Sequence, residues 1–255
     1  PAAMVAPTPV SALLHAVAVV KAGVFTIVKV AVYIFGLDYL RELALADIAL
    51  YLAGFTIIVA SIVALRQDNL KRRLAYSTVS QLSYVILAAL ILSPLSTMGA
   101  ALHIAVHAFG KITLFMAAGA IYTAAHKINV SQLDGIGKRM PWTMGAFTIG
   151  ALSMIGLPPA GGFLSKWYIL LGALEAEQMF ALAVIVGSTL LNAAYFLPIV
   201  YAAFLKPEAT DAQDHEHGEA PLPIVMALVI TASATILLFF FPDLALHLAG
   251  MLVGR

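Results

Sequence analysis

Long apolar runs separated by short polar breaks organise this chain. Read between breaks, the pattern predicts seven membrane-length segments at approximately 9–35, 45–65, 71–93, 98–125, 141–175, 179–205 and 221–241. A helix of about 20 apolar residues crosses the hydrocarbon core of a bilayer. The predicted fold class is therefore all-α: a polytopic transmembrane helical bundle, with 1–255 forming a single membrane domain. The fifth run is too long for one straight helix and contains Gly156-Leu157-Pro158-Pro159-Ala160-Gly161-Gly162. Its prolines remove backbone donors and its glycines relax the chain. Two half-helices joined by an unwound loop are expected there, which a membrane tolerates only inside protein or beside a water-filled cavity. A simple proline kink is the alternative.

Composition agrees with this pattern. Of 255 residues, 62% are hydrophobic and 11% charged, where a soluble domain carries roughly 25% charged residues. A lipid bilayer is thus the expected surrounding. The net charge of +1 and the lack of a basic tract point to no nucleic-acid partner. The chain has no cysteine, which excludes disulfides, thiolate metal sites and cysteine catalysis. No nucleophile, phosphate loop or metal constellation stands out, so neither a soluble enzyme nor a cofactor is expected. The chain opens PAAMVAPTPV, with no basic leader and no initiator Met, and Pro1 reads as a cut point in something longer.

Loop charges set an orientation. Arg66, Lys71, Arg72 and Arg73 crowd one loop, and Lys127, Lys138 and Arg139 another. The intervening breaks carry Arg41 alone, no charge at 94–97, and Glu175 with Glu177. The positive-inside rule places the two basic loops in the cytoplasm. The segment 206–220, KPEATDAQDHEHGEA, falls on the same side and reads as a flexible acidic loop. Asp214, His215, Glu216 and His217 within it have metal-binding side chains, but a solvated loop is the preferred reading. Residues 242–255 are expected at the outer interface.

Ionisable residues inside the apolar runs carry the chemistry. A cation at the bilayer centre costs about 2.5–3.5 kcal/mol even on the insertion scale, so its presence calls for a reason. His103, His107 and Lys111 follow at four-residue spacing, each turned about 40° from the last, and form one stripe about 12 Å long. Histidine changes charge near neutral pH, and a desolvated lysine can be driven to do so. Gly110 beside Lys111 allows a neighbouring helix to come close. Lys166 follows the expected break directly, where half-helix ends expose backbone groups and partial dipole charge. Lys21 lies a little past the middle of the first run. His15, six residues earlier, need not share its face and reads more simply as a hydrogen-bonded core residue. Lys29 and Lys71 lie near helix ends, where the stem can carry the charge to the headgroups. No Asp or Glu lies well inside any span. The buried lysines therefore either titrate or find their counter-charges outside this chain.

Four segments together resemble a known family. APTPVSALLHAVAVVKAGVF (6–25), DNLKRRLAYSTVSQLSYV (68–85), HIAVHAFGKITLFMAAG (103–119) and SMIGLPPAGGFLSKWYIL (153–170) are similar to the proton-translocating antiporter-like membrane subunits. That family covers Mrp-type Na⁺/H⁺ antiporters and the pumping subunits of complex I and related hydrogenases. Lys21 in VVKAGVF and the Lys127–Lys138 loop look closest to the D-type subunits of Mrp. The resemblance implies two inverted five-helix repeats, each with a broken helix, of which this chain is the C-terminal half. It implies that Lys21 is the central lysine at the junction of two half-channels. His103, His107 and Lys111 would be the polar axis of the second repeat, and Lys166 the terminal ionisable group on its broken helix, a glutamate in some members. His15 and Lys71 are secondary candidates. The acidic partners of the first repeat would precede Pro1.

The function implied is a proton relay within a multisubunit Na⁺ or K⁺/proton antiporter of the bacterial cytoplasmic membrane, partnered by other membrane subunits. The alternatives are a pumping subunit of an NADH- or ferredoxin-linked complex, and a non-conducting scaffold, which would gain nothing from buried lysines. No redox centre is implied in this chain on any of these readings.

Overall fold

The computed structural model of the chain describes residues 2–14, 18–208 and 218–253. Among them the elements are helices throughout: α1 (Thr8–Ala12), α2 (Val19–Lys29), α3 (Leu37–Arg41), α4 (Ala44–Arg66), α5 (Leu70–Leu90), α6 (Pro94–Ala125), α7 (Ile136–Arg139), α8 (Pro141–Ile155), α9 (Gly161–Glu175), α10 (Met179–Leu205), α11 (Leu222–Phe240) and α12 (Asp243–Met251). A π-helical turn, Val30–Phe35, extends α2 to Gly36. The polytopic all-α bundle expected from the apolar runs is what forms.

Four described helices are long and apolar enough to cross a membrane: Leu45–Arg66, Pro94–Ala125, Met179–Leu205 and Leu222–Phe240. The other expected spans deviate for local reasons. Helix α5 has the length, at 21 residues, but Lys71, Arg72, Arg73 and a series of hydroxyl side chains make it polar. It survives in the interior because α4 and α6 flank it. The run 141–175 is divided into α8 and α9, each 15 residues long. The first run is described as α1 and α2 with its π turn. His15 lies outside the described residues, as do Asp214, His215, Glu216 and His217. Helix α6 begins at Pro94 rather than 98, because Ser93 and Ser96 form a capping box with proline in the first turn.

The loops sort by side. Leu70 N donates to Ile128 O at 2.9 Å and Val130 N to Asp68 O at 2.8 Å, so the two basic loops lie against each other. The acidic segment joins them at its ends: Arg139 pairs with Glu208 at 2.6 Å and Lys206 with Asp134 at 3.2 Å. These loops form one basic rim. At the opposite end Ser93 Oγ donates to Glu175 at 2.6 Å and Arg41 to Leu92 O at 2.6 Å.

Glu219 ties the end of the acidic segment to α8. Its carboxylate accepts from Trp142 N at 2.6 Å, Thr143 N at 3.2 Å and Thr143 Oγ1 at 2.7 Å. This satisfies orphan donors at a helix start, where negative charge also meets the positive dipole end. Replacing Glu219 with Ala should lower stability by about 1–2 kcal/mol. Thermal unfolding of detergent-solubilised protein would register this, and an unshifted midpoint would refute the cap.

Two apolar clusters flank the middle of the bundle. One gathers Leu74, Leu114, Phe115, Phe147, Phe196 and Leu228 from α5, α6, α8, α10 and α11. The other gathers Leu50, Ile57, Val85, Ile169, Ala173 and Ile185 from α4, α5, α9 and α10. Between them lie most of the buried polar side chains. Helix α12 covers the start of α6 through Ala245, Leu246 and Ala249 against Met98 and Leu102.

Candidate functional site

The site is built around the break between α8 and α9. Helix α8 ends at Gly156, whose φ of 89° and ψ of 43° suit glycine and turn the chain out of the helix. Leu157, Pro158, Pro159 and Ala160 form the loop. Gly161 and Gly162, expected in the loop, instead start α9, because Phe163 N already bonds Ala160 O at 3.0 Å. The segment is a true break and not a kink. Thr235 O of α11 lies 3.2 Å from the place a Cβ on Gly161 would take, so neighbouring protein covers the opened backbone.

Lys166 closes the end of α8. Its ammonium donates to Met154 O at 2.8 Å and Ile155 O at 3.0 Å, carbonyls that a helix terminus leaves without partners. A cation there also meets the negative end of the α8 dipole. The same amine stands 4.8 Å from the Tyr84 ring centroid. The half-helix end that looked able to bind an ion or water thus holds the lysine itself.

Helix α6 presents the predicted stripe to this point. His103, His107 and Lys111 are fully buried. His103 Nδ1 lies 2.9 Å from Ser165 Oγ, one residue before Lys166. The two imidazole centroids are 6.1 Å apart, and that of His103 is 5.8 Å from Tyr84. Neither ring nitrogen of His107, nor Nε2 of His103, has a hydrogen-bond partner. Lys111 donates to Leu74 O at 3.2 Å and sits 5.6 Å from the Phe196 ring centroid. Gly110 lets α8 approach as its sequence suggests: an added Cβ would fall 2.5 Å from Met154 Cε and 3.3 Å from Ser153 Oγ. Lys21 is buried, with no partner for its ammonium, and lies within electrostatic reach of both histidines.

Of the sequence candidates, Lys21, His103, His107, Lys111 and Lys166 converge on one interior. Lys71 does not. It donates to Ala6 O at 2.9 Å at the basic rim. The ion pairs seen among described residues, Arg41–Asp38, Arg139–Glu208 and Lys206–Asp134, also lie at the two ends. Carbonyls and aromatic faces, rather than carboxylates, surround Lys166 and Lys111. A buried amine solvated this way is not locked into an ion pair, which suits repeated proton transfer.

Sequence reading missed the uncharged groups beside this line. Tyr84, Ser188, Asn192, Tyr195, Ser77 and Gln81 are all fully buried. Their signal is a shared period: 73, 77, 81 and 84 on α5, and 188, 192 and 195 on α10, each fall on one helical face.

The model of the family described as NADH:quinone oxidoreductase/Mrp antiporter, TM, matches residues 1–192. The chain belongs to this family. Across 173 residues it is 44% identical to NADH-quinone oxidoreductase subunit N of Desulforudis audaxviator, covering 68% of this chain and 34% of that protein. A Na(+)/H(+) antiporter subunit of Bacillus subtilis is 33% identical over 270 residues, covering 96% of this chain and 32% of that protein. The fold matches a chain in the structure of the Mrp complex from Dietzia sp. DQ12-45-1b with a TM-score of 0.86 at 22% identity. That match covers 98% of this chain and 54% of the other. The chain therefore spans about a third of these curated relatives. As a member of the antiporter-like family it is a multi-pass protein of the cytoplasmic membrane.

Proposed function

We propose that this protein is the proton-conducting membrane subunit of a multisubunit Na⁺ or K⁺/proton antiporter. The observation that carries the reading is the buried line of Lys21, His103, His107, Lys111 and Lys166, with unpaired imidazole nitrogens along it. Protons pass between these groups through side chains and intervening water, and each site's occupancy depends on its neighbours' charge. The basic rim faces the cytoplasm. Other membrane subunits cover the apolar faces of α2 and α4, where Phe25, Ile48 and Phe55 are exposed.

A second reading, a pumping subunit of an NADH- or ferredoxin-linked complex, is favoured by the 44% identity to an oxidoreductase subunit N. On that reading redox energy released elsewhere in the complex drives the same line outward, and this chain is a translocase part without a redox centre. A scaffold role does not account for three buried lysines.

The test is dissipation of an imposed pH gradient by Na⁺ or K⁺ in membrane vesicles carrying the protein within its complex. Cation-dependent dissipation supports antiport. Dissipation only on electron input supports the second reading. Lys111→Met keeps the apolar stem and removes the proton-binding group. Transport should fall at least about tenfold with assembly intact, the lower end of what a positioned proton carrier supplies. Undiminished transport would remove the stripe from the path.

A further inference from the structure

Helices α5 and α10 face each other with matched polar seams. Arg73, Ser77, Gln81 and Tyr84 lie on one side, and Ser188, Asn192 and Tyr195 on the other. At the break, the Tyr84 hydroxyl bonds Ser188 Oγ, and the Tyr84 ring carries Lys166. Asn192 Nδ2 reaches Met154 O at 3.5 Å, the carbonyl that also holds the Lys166 ammonium. Tyr195 donates its hydroxyl to Asn192 Oδ1 and lies 2.8 Å from Ser77 Oγ. One turn further, Arg73 donates to Tyr195 O at 3.1 Å and to Gln67 O at 2.8 Å, reaching the basic rim.

Apolar side chains would join two membrane helices more cheaply than this, since each buried hydroxyl or amide needs a partner. Gln81 goes further. Its side chain lies beside the Tyr195 hydroxyl and its backbone beside His103, yet neither amide nitrogen nor amide oxygen is hydrogen-bonded. A fully buried amide with free donors and a free acceptor, facing polar neighbours, is a holder of water. It stands between the histidine stripe and the hydroxyl seam.

Building on the relay reading, we propose that this seam is a second proton-conducting limb. It joins Lys166 to the basic rim through Asn192, Tyr195 and Ser77, in parallel with His103, His107 and Lys111. Arg73 positions the Tyr195 turn. A proton moves by exchange: Ser77 and Tyr195 each accept one proton as they release another, so both end neutral. Asn192 orients the phenol without being protonated. Water on Gln81 completes the step to or from the Lys166 amine, which alone changes charge. The carbonyl of Met154 holds Lys166 and Asn192 side by side and carries nothing.

The vesicle assay tests this by a double substitution. Tyr195→Phe removes one oxygen and keeps the ring. Alone it should reduce transport at most about twofold, because the stripe still conducts. In the Lys111→Met background it should remove the residual flux, by a further tenfold or about that, the effect of losing one hydrogen-bonded carrier. A structural role would lower transport by the same factor in both backgrounds, and that result overturns the limb. No effect in either background overturns it too, as does complete loss in Lys111→Met alone. Where Tyr195→Phe fails to assemble, Ser77→Ala takes its place with the same expectations. Lys166→Ala separates the two claims. If it transports normally the relay itself fails, whereas a dead Lys166→Ala with background-independent Tyr195→Phe leaves the relay standing without this limb.

Discussion

Lys166→Ala should reduce proton transport at least about a hundredfold, the largest functional loss expected from any single site. Lys166 is the group on which the lines converge. Ser165 beside it touches His103 at 2.9 Å, its amine faces Tyr84, and it shares Met154 O with Asn192. Alanine removes the proton site and also leaves Met154 O and Ile155 O without their ammonium. Lys166→Glu tests which loss matters. A neutral carboxyl can donate its proton to one of those carbonyls, so a titratable group remains. An ionised carboxylate would face carbonyl oxygens at the negative end of α8, which is unfavourable. Lys166→Glu should therefore keep more activity than Lys166→Ala and lose it as pH rises. Gradient dissipation measured over a pH series reads both effects. Equal loss at every pH would count against a proton-binding role and leave Lys166 as a helix cap.

What could be read from the sequence follows from what hydropathy and charge report. The apolar runs show where the long helices lie, and the Gly-Pro cluster shows where the fifth run breaks. The stripe on α6 is visible because His103, His107 and Lys111 are ionisable and stand in an apolar helix. Burial of all three follows from that placement. The seam is invisible by the same criteria. Asn192 and Tyr195 hardly alter the average of α10, and Ser77 and Gln81 look like ordinary surface residues of a polar α5. Their meaning depends on a pairing between Ser77 and Tyr195, 118 positions apart. Nor does spacing reveal that Lys166 turns back onto carbonyls 11 and 12 positions earlier. That contact needs Gly156 to have redirected the chain. The partner of Lys71, Ala6 O, is likewise a tertiary fact. A headgroup was the expectation for that lysine, and a backbone carbonyl takes the role.

The largest structural effect should come from Gly162→Ala. In the first turn of α9, Gly162 lies directly against the backbone of Ser153 in α8, and a Cβ there would overlap the Ser153 carbonyl. The obstacle is main chain, so no rotamer change relieves it. Helix α9 must move away from α8, and Ser153, Met154 and Ile155 are held in α8 while Thr235 and Leu238 of α11 block the other side at Gly161. Overpacking a fixed contact of this kind costs about 3 kcal/mol or more. Gly145→Ala in α8 is the matched control. Nothing lies within 4 Å of its Cβ position, and alanine favours the helix, so it should be neutral or slightly stabilising. Denaturation of the purified protein in detergent, with the yield of assembled complex, compares the two. Any Gly162→Ala protein that does assemble should transport poorly, because displacing α9 draws Lys166 off Met154 O and Ile155 O. If instead it matches Gly145→Ala in both stability and transport, α8 and α9 are free to separate at the break. The lysine would then not be fixed at the end of α8, and the convergence of the two lines on it would be lost.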